Sequence, residues 1–268
     1  MSDLGEVQDS DESKDRNFVT ALARGLDLLR CFRGSEVELT NTDFAERTKL
    51  PKATISRLTY TLCKLGYLVA DPRTGMYRLN AGVLQLGFGV LAGMDIGLRA
   101  KAEMKQLCDG PNPYVTIALG EQHRFDVIYV ATESSQEDVS LTARVGSRLP
   151  LFFSAIGRSI LVALPEDQRE ALFAQAHDYD PDMARSARIS FDAAQIEFAE
   201  HGFCRSYGDW RADVNGISVP VFSLGGRRIY GMNIGGPSFH VKPKQLEDFY
   251  APRLLAAAKR LSILPENL

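Results

Sequence analysis

The chain has 268 residues, of which 45% are hydrophobic and 24% charged, enough material for roughly two domains with separate cores. A net charge of -3 excludes a generally basic, charge-driven binder. The four cysteines (Cys31, Cys63, Cys108, Cys204) form no CxxC, and no signal peptide precedes them, so the chain reads as a reduced, cytoplasmic protein.

Charge is unevenly spread. Residues 1–17 hold six acids against two bases, have no periodicity and read as a disordered arm. Residues 18–93 reverse the sign, with ten Lys/Arg against six Asp/Glu. A locally basic segment in an acidic chain fits a confined nucleic-acid surface.

Val19, Leu22, Leu26, Leu29 and Phe32 recur at three- and four-residue steps, which predicts a first helix with one apolar face, stopped by Gly34 and Ser35. Thr40 offers an N-cap oxygen to a second short helix, with Asp43 in its first turn and Phe44 and Ala45 facing inward. The chain turns near Lys49-Leu50, and Pro51 is placed to open a third helix. On that helix Ile55, Leu58, Leu62 and Leu65 share one side. Ala53, Ser56, Arg57, Tyr60 and Lys64 share the other, with Lys52 and Thr54 in the first turn, and no acid balances them.

"YLVAD" and "MYRL" follow as two short strands around the turn sequence Pro72-Arg73-Thr74-Gly75. Three helices and a hairpin make a winged helix-turn-helix over residues 18–80, whose third helix would enter a DNA major groove. Small Ala53 allows close approach, and Lys52, Thr54, Ser56, Arg57 and Tyr60 can reach base edges or phosphates. Arg73 at the wing tip, Arg78 on its second strand and Arg24 on the first helix complete the cationic candidates. A protein-docking winged helix is the alternative.

Residues 81–94 predict a linker helix, apolar on more than one side and shorter than the ~20 residues of a membrane span. Such a helix must be covered. The same helix from a second copy would cover it and give a symmetric dimer suited to a palindromic site; packing on its own chain is the alternative.

From residue 95 to 268 the texture is mixed α and β. Leu98 to Cys108 predicts a helix, "YVTIALG" and "FDVIYVATES" two strands around an "EQHR" turn, and "VSLTARVG" a third strand. "SAIGRSILVAL", "PEDQREALFAQA" and Ile189 to His201 predict helices, the last ended by Gly202. "FCRSYGDW", "VNGISVPVFSL" and "RRIYGMNIGG" predict strands, and Leu246 to Leu264 a closing helix. An α+β sensor-type domain results.

No GxSxG, HExxH, P-loop or strand-following GxGxxG is present, and the four histidines lack metal-ligand spacing, so neither catalysis nor a cofactor is expected. The rival is an enzyme, with Cys204 or Asp209 as its catalytic residue. Glycines inside the late strands mark bulges or close approach of a second group to the backbone. Trp210, in the loop before one of these strands, reads as a ligand lid or a core plug. Arg144, beside Gly146, is a candidate partner for a ligand carboxylate or for a structural ion pair.

Three stretches, in this order, resemble the isocitrate lyase regulator (IclR) family of bacterial transcription factors: "LPKATISRLTYTLCKLGYLVADPRTGMYRLNAGVLQLG", "VGSRLPLFFSAIGRSILVALP" and "VNGISVPVFSLGGRRIYGMNIGGPSF". The resemblance spans residues 18–264. It implies a GAF-like effector-binding domain, assembly as a dimer or a dimer of dimers, a double-stranded DNA operator, and control by a small organic or aromatic acid. The family's effector positions match Ala155, Ile156, Asp209, Val214, Gly216, Asn233 and Gly235. Many members carry Cys at the position of Gly216 and Ser-x-Ser at Asn233-Ile234-Gly235. Fewer hydroxyls imply a roomier pocket, suited to a larger, partly apolar ligand with a ring against Trp210 or Phe153.

Overall fold

The structure is a computed structural model that describes residues 16–33, 36–92, 95–134, 144–223, 226 and 228–262. Most of the expected N-terminal arm, the Gly34-Ser35 stop, residues 139–143 of the expected "VSLTARVG" strand and the last residues of the closing helix lie outside the described residues. The chain divides into two units, Met1–Gly93 and Met94–Leu268.

The first unit runs α1 (Thr20–Arg30), α2 (Asn41–Thr48), α3 (Lys52–Lys64), β1 (Leu68–Ala70), β2 (Tyr77–Leu79) and α4 (Ala81–Ala92). Leu28, Leu39, Phe44, Ile55, Leu62 and Leu68 form its core. α1 departs from expectation. Its buried residues are Gly25 and Leu28, whereas Val19, Leu22 and Leu26 are exposed. Gly25 has no side chain, so α3 can approach until Leu58 would lie 4.0 Å from an added Cβ. Leu29 and Phe32, at the margin of the expected stripe, do pack on the core. On α3 Leu65 is exposed and Thr59 is buried instead, its hydroxyl donating to the Ile55 carbonyl at 3.0 Å.

Thr40 caps α2 in a capping box. Its side chain accepts from the Asp43 amide at 3.2 Å, and the Asp43 carboxylate accepts from the Thr40 amide at 2.7 Å. Those bonds hold the Asp43 carboxyl below its usual range. Thr40→Ala is expected to lower the stability of this unit by about 1 kcal/mol, seen as a lower urea midpoint at unchanged slope. Lys49, in the left-handed region at φ 56, makes the sharp turn between α2 and α3, and Pro51 takes the N-cap of α3 rather than its first position. The wing pairs Val69 with Arg78, and Leu39 adds a bridge to Tyr77.

The second unit runs α5 (Asp95–Cys108), β3 (Thr116–His123), β4 (Asp126–Ser134), β5 (Arg148–Pro150), α6 (Ala155–Ala163), α7 (Glu166–Tyr179), α8 (Pro181–His201), β6 (Cys204–Tyr207), β7 (Val214–Phe222) and β8 (Ile229–Pro237). It closes with α9 (Pro243–Gln245), a π-helical turn (Leu246–Tyr250) and α10 (Ala251–Leu261). The strands form one antiparallel sheet in the order β5-β4-β3-β8-β7-β6. Alternate residues face opposite sides. Ile117, Leu119, Ile217, Val219, Met232 and Ile234 pack toward α5 and α10. Ala118, Val127 and Tyr129 pack toward α6, α7 and α8.

Three sequence expectations are corrected. Glu121, Gln122 and His123 belong to β3, and the turn falls at Arg124, which adopts φ 54. Arg144 to Gly146 form a turn, not strand; the Gly146 amide donates to the Tyr129 carbonyl at 2.8 Å, and β5 begins only at Arg148. α8 starts at Pro181, not Ile189, because Asp180 caps it by accepting from the amides of Asp182 and Met183. Among the described residues no helix is long and apolar enough to cross a membrane.

Candidate functional site

In the first unit the exposed side of α3 carries Lys52, Ala53, Ser56, Arg57, Tyr60 and Lys64, with Thr54 half-buried beside them. Their placement follows from the burial of Ile55, Thr59 and Leu62 on the opposite side. No acid occurs on this helix. The Ser56 hydroxyl donates to the Lys52 carbonyl at 3.1 Å and Thr61 to Arg57 at 2.9 Å, which leaves their oxygens as acceptors. The Lys64 ammonium sits 5.5 Å from the centre of the exposed Tyr60 ring. Arg47 pins α2 from behind, with its guanidinium forked onto Glu36 at 2.7 Å and bonded to the Cys31 carbonyl at 2.7 Å. Arg47 thereby ties α2 to the end of α1 and to the segment that follows it. Arg73 projects from the wing turn with its side chain 90% exposed, 3.8 Å from Asp71, and Arg78 is exposed on β2. Arg24 is half-buried on α1.

In the second unit the sheet face toward α6 is made of small and polar residues. β3 contributes Thr116, Ala118 and Gly120; β8 contributes Gly231, Asn233 and Gly235; β7 contributes Gly216 and Ser218. Ala118 and Gly120 on the intervening β3 are small, and the Asn233 side chain lies near enough to the Tyr129 phenol to lower its pKa. Burial still pushes the Tyr129 hydroxyl well above its ordinary pKa. The Oδ1 of Asn233 and the Oγ1 of Thr116 are buried without a hydrogen-bond partner. Two orphaned polar atoms on one face are costly unless a further group meets them.

α6 packs across this face, mainly over β7 and β8. Ser154 caps it, accepting from the Gly157 amide at 3.2 Å, and the Arg158 amide donates to the Ser154 carbonyl at 3.0 Å. The Ala155 and Ile156 amides precede any intrahelical acceptor and sit at the positive end of the helix. Ile156 is fully buried and fills the hollow left by two glycines: a Cβ on Gly231 would stand 2.4 Å from it, and one on Gly120 2.9 Å. Those glycines thus admit protein rather than ligand. The same holds for Gly235, where an added Cβ would meet the Asn215 carbonyl at 2.8 Å.

Sequence reasoning missed Arg158, Thr116 and Tyr129. The Arg158 side chain is only 12% exposed and bonds Asp209 at 2.5 Å, the Arg205 carbonyl at 2.6 Å and Ser190 at 3.0 Å. It ties the 41%-exposed Asp209, and with it the loop bearing Trp210, to α6 and α8. A lone cation inside the apolar run "SAIGRSILV" was the signal, since a buried charge needs a partner. Trp210 is half-buried against the cluster under α6, with the Arg211 guanidinium 5.5 Å from its ring. Val214 is buried at the start of β7. Arg144 is exposed in the turn before β5, its amide donating to Ser147 at 2.9 Å.

Cys204 is fully buried, and burial pushes its thiol up to about 12. A thiol so raised is seldom ionised at neutral pH, which disfavours the Cys204 enzyme reading. Among the described residues no group of three His, Cys, Asp or Glu stands close enough to hold a metal ion.

Two family models match the chain: the IclR helix-turn-helix domain over residues 21–72 and the bacterial transcriptional regulator IclR C-terminal domain over residues 88–263. The chain belongs to the IclR family of transcriptional regulators. This IclR-family regulator is 28% identical to the Pca regulon regulatory protein of Pseudomonas putida over 92% of its own length and 84% of the relative's. It is 37% identical to an IclR family transcriptional regulator of Brucella abortus, with a TM-score of 0.78 and 95% of each chain covered. An IclR homolog of Microbacterium hydrocarbonoxydans, solved in complex with 4-hydroxybenzoate, shares the fold at 24% identity, with a TM-score of 0.63 over 90% of this chain and 97% of that one. The matches place the α2–α3 pair in the helix-turn-helix domain and the six-stranded sheet in the C-terminal domain.

Proposed function

We propose that this regulator controls a catabolic operon from the cytoplasm, without enzymatic turnover, by reading a palindromic operator with α3 and sensing an aromatic carboxylic acid in the second unit. The acid-free face of α3 carries the first half of this reading. Arg57, Lys52 and Tyr60 take base edges or phosphates, with Thr54 and Ser56 beside them; Ala53 lets the backbone close in; Arg73 and Arg78 on the wing meet the flanking backbone. Self-association through α4 supplies the two-fold symmetry, since Leu84 (71%), Leu86 (57%) and Phe88 (66%) are exposed there. Duplex binding is expected to weaken steeply as salt rises. Equal affinity across a salt titration of DNA from upstream of its own gene would exclude the operator reading.

The orphaned Asn233 Oδ1 carries the second half. It lacks a donor, which a phenolic hydroxyl provides, while the Ala155 and Ile156 amides at the α6 N-terminus suit a carboxylate. Gly216 and Val214 form the wall, and Trp210 covers the ring, with Asp209 held ready by Arg158. The homolog bound to 4-hydroxybenzoate and the Pca relative supply the ligand class. By calorimetry, 4-hydroxybenzoate is expected to bind more tightly than benzoate, and Asn233→Leu is expected to remove about 1 kcal/mol of that difference. Binding of two- or three-carbon acids alone would contradict this pocket.

A further inference from the structure

We propose that the Arg158–Asp209 ion pair is a releasable latch, which keeps the loop between β6 and β7 closed over the inner face of the sheet. The proposal deepens the sensing role given above and rests on it only for the measurement with ligand.

Gly208 to Asp213 make up this loop. Its neck is closed by the Gly208 amide, which donates to the Val214 carbonyl at 2.9 Å. Its exit is fastened by Ser238, whose amide donates to the Asp213 carbonyl at 2.8 Å. Arg211 forks onto Asp213 within the loop at 3.0 and 2.7 Å, so that pair travels with it. Trp210 rests half-buried on the cluster under α6. Just before it stands Asp209, whose carboxylate accepts from Arg158 Nη1 at 2.5 Å.

The two halves of the latch differ, and the difference makes it releasable. Arg158 is fixed. Its side chain is 12% exposed; Nη1 also donates to the Arg205 carbonyl at 2.6 Å, and Nε to Ser190 Oγ at 3.0 Å. Ser190 donates in turn to the Phe152 carbonyl at 2.6 Å, which holds that hydroxyl in place. The guanidinium therefore keeps two acceptors when Asp209 leaves, and no buried charge is stranded. Asp209 is 41% exposed and exchanges the guanidinium for water at small cost. It follows Gly208, which stands at φ 82, a backbone region that glycine enters without strain. A fixed cation, a half-exposed anion and a glycine beside it give a loop that opens as a unit, while α6, α8 and the sheet stay where they are. Trp210 then leaves the cluster, and the inner face becomes reachable.

Trp210 is the only tryptophan in the chain, so its fluorescence reports this loop alone. In the ligand-free full chain Asp209→Ala is expected to raise the acrylamide quenching constant of Trp210 about twofold or more, the change in open fraction that a half-exposed ion pair supports. Emission moves to the red, and the melting temperature stays at the wild-type value. Quenching equal to wild type overturns the latch. A melting temperature that falls in the variant overturns it as well, because the pair would then hold the fold and not the loop. With 4-hydroxybenzoate as the probe, stopped-flow fluorescence of Asp209→Ala is expected to show both association and dissociation accelerated. Faster dissociation alone makes Asp209 a ligand contact only and overturns the latch. If the wild-type chain binds no 4-hydroxybenzoate, the sensing role fails, while quenching in the ligand-free chain still decides the latch.

Discussion

Arg57→Ala is expected to weaken binding to the operator by about 1–3 kcal/mol, from fivefold to more than a hundredfold at fixed salt. The side chain stands exposed in the middle of α3, one turn past Ala53, on a helix with no acid to compete for it. If it forks onto a guanine edge, the loss is concentrated on the cognate site, and discrimination against mismatched duplex falls with it. If it holds a phosphate, all duplexes weaken alike and the salt slope drops by about one. Fluorescence anisotropy with cognate and scrambled duplexes at two salt concentrations separates the cases. A variant binding as well as wild type at moderate salt would take Arg57 out of the interface.

Gly157→Ala is expected to cost the second unit about 3 kcal/mol or more, an overpacking effect at the upper end of what single methyl groups do. A Cβ there would stand 1.9 Å from the Leu151 carbonyl oxygen and 2.6 Å from its Cα. Both are backbone atoms, so no rotamer change relieves the contact. α6 would have to lift off, taking Ile156 out of the Gly120–Gly231 hollow and the Arg158 anchor away from Asp209. For a unit of this size the melting temperature falls by roughly 6–12 °C. Calorimetry reads the shift directly, and effector binding is lost with it. A variant that melts with the wild type would show that the turn before α6 is looser than these distances require.

Where the first unit was legible, the residues carry local instructions. Thr40 as the cap of α2 and the Pro72–Gly75 turn act over three or four positions, and the structure uses both; Pro51 marks the start of α3 but one position earlier than expected. The face of α1 was misread because its apolar stripe is wider than its contact, and the choice between sides is made by Gly25, which periodicity does not register. The first eight residues of α8 were missed for a related reason. Their buried positions are Ala184 and Ala187, too small to stand out as a hydrophobic pattern, although Asp180-Pro181 is a cap and first-turn signal. β5 has one buried residue, Leu149, and exists only through its pairing with β4.

The candidate sites divide in the same way. The exposed face of α3 follows from helical spacing alone. The inner face of the sheet does not. Asn233 was reached through the family resemblance, whereas Thr116 and Tyr129 join it only through the β4-β3-β8 order. Arg158 meets Asp209 across 51 residues of chain. Such pairings are set by topology: the apolar run around Arg158 signals that the cation needs a partner, but not that the partner is Asp209.

Ile156 gives the regulatory domain a further property. The hollow between Gly120 and Gly231 is closed by a stopper that belongs to the helix and not to the sheet. Its depth is therefore governed by the length of one aliphatic chain, while the β-scaffold beneath stays the same. Under the sensing role proposed above, a lineage would change the range of acids it answers to by trimming or extending that stopper, with strand pairing left as it is. Selectivity and architecture are in this way carried by different atoms.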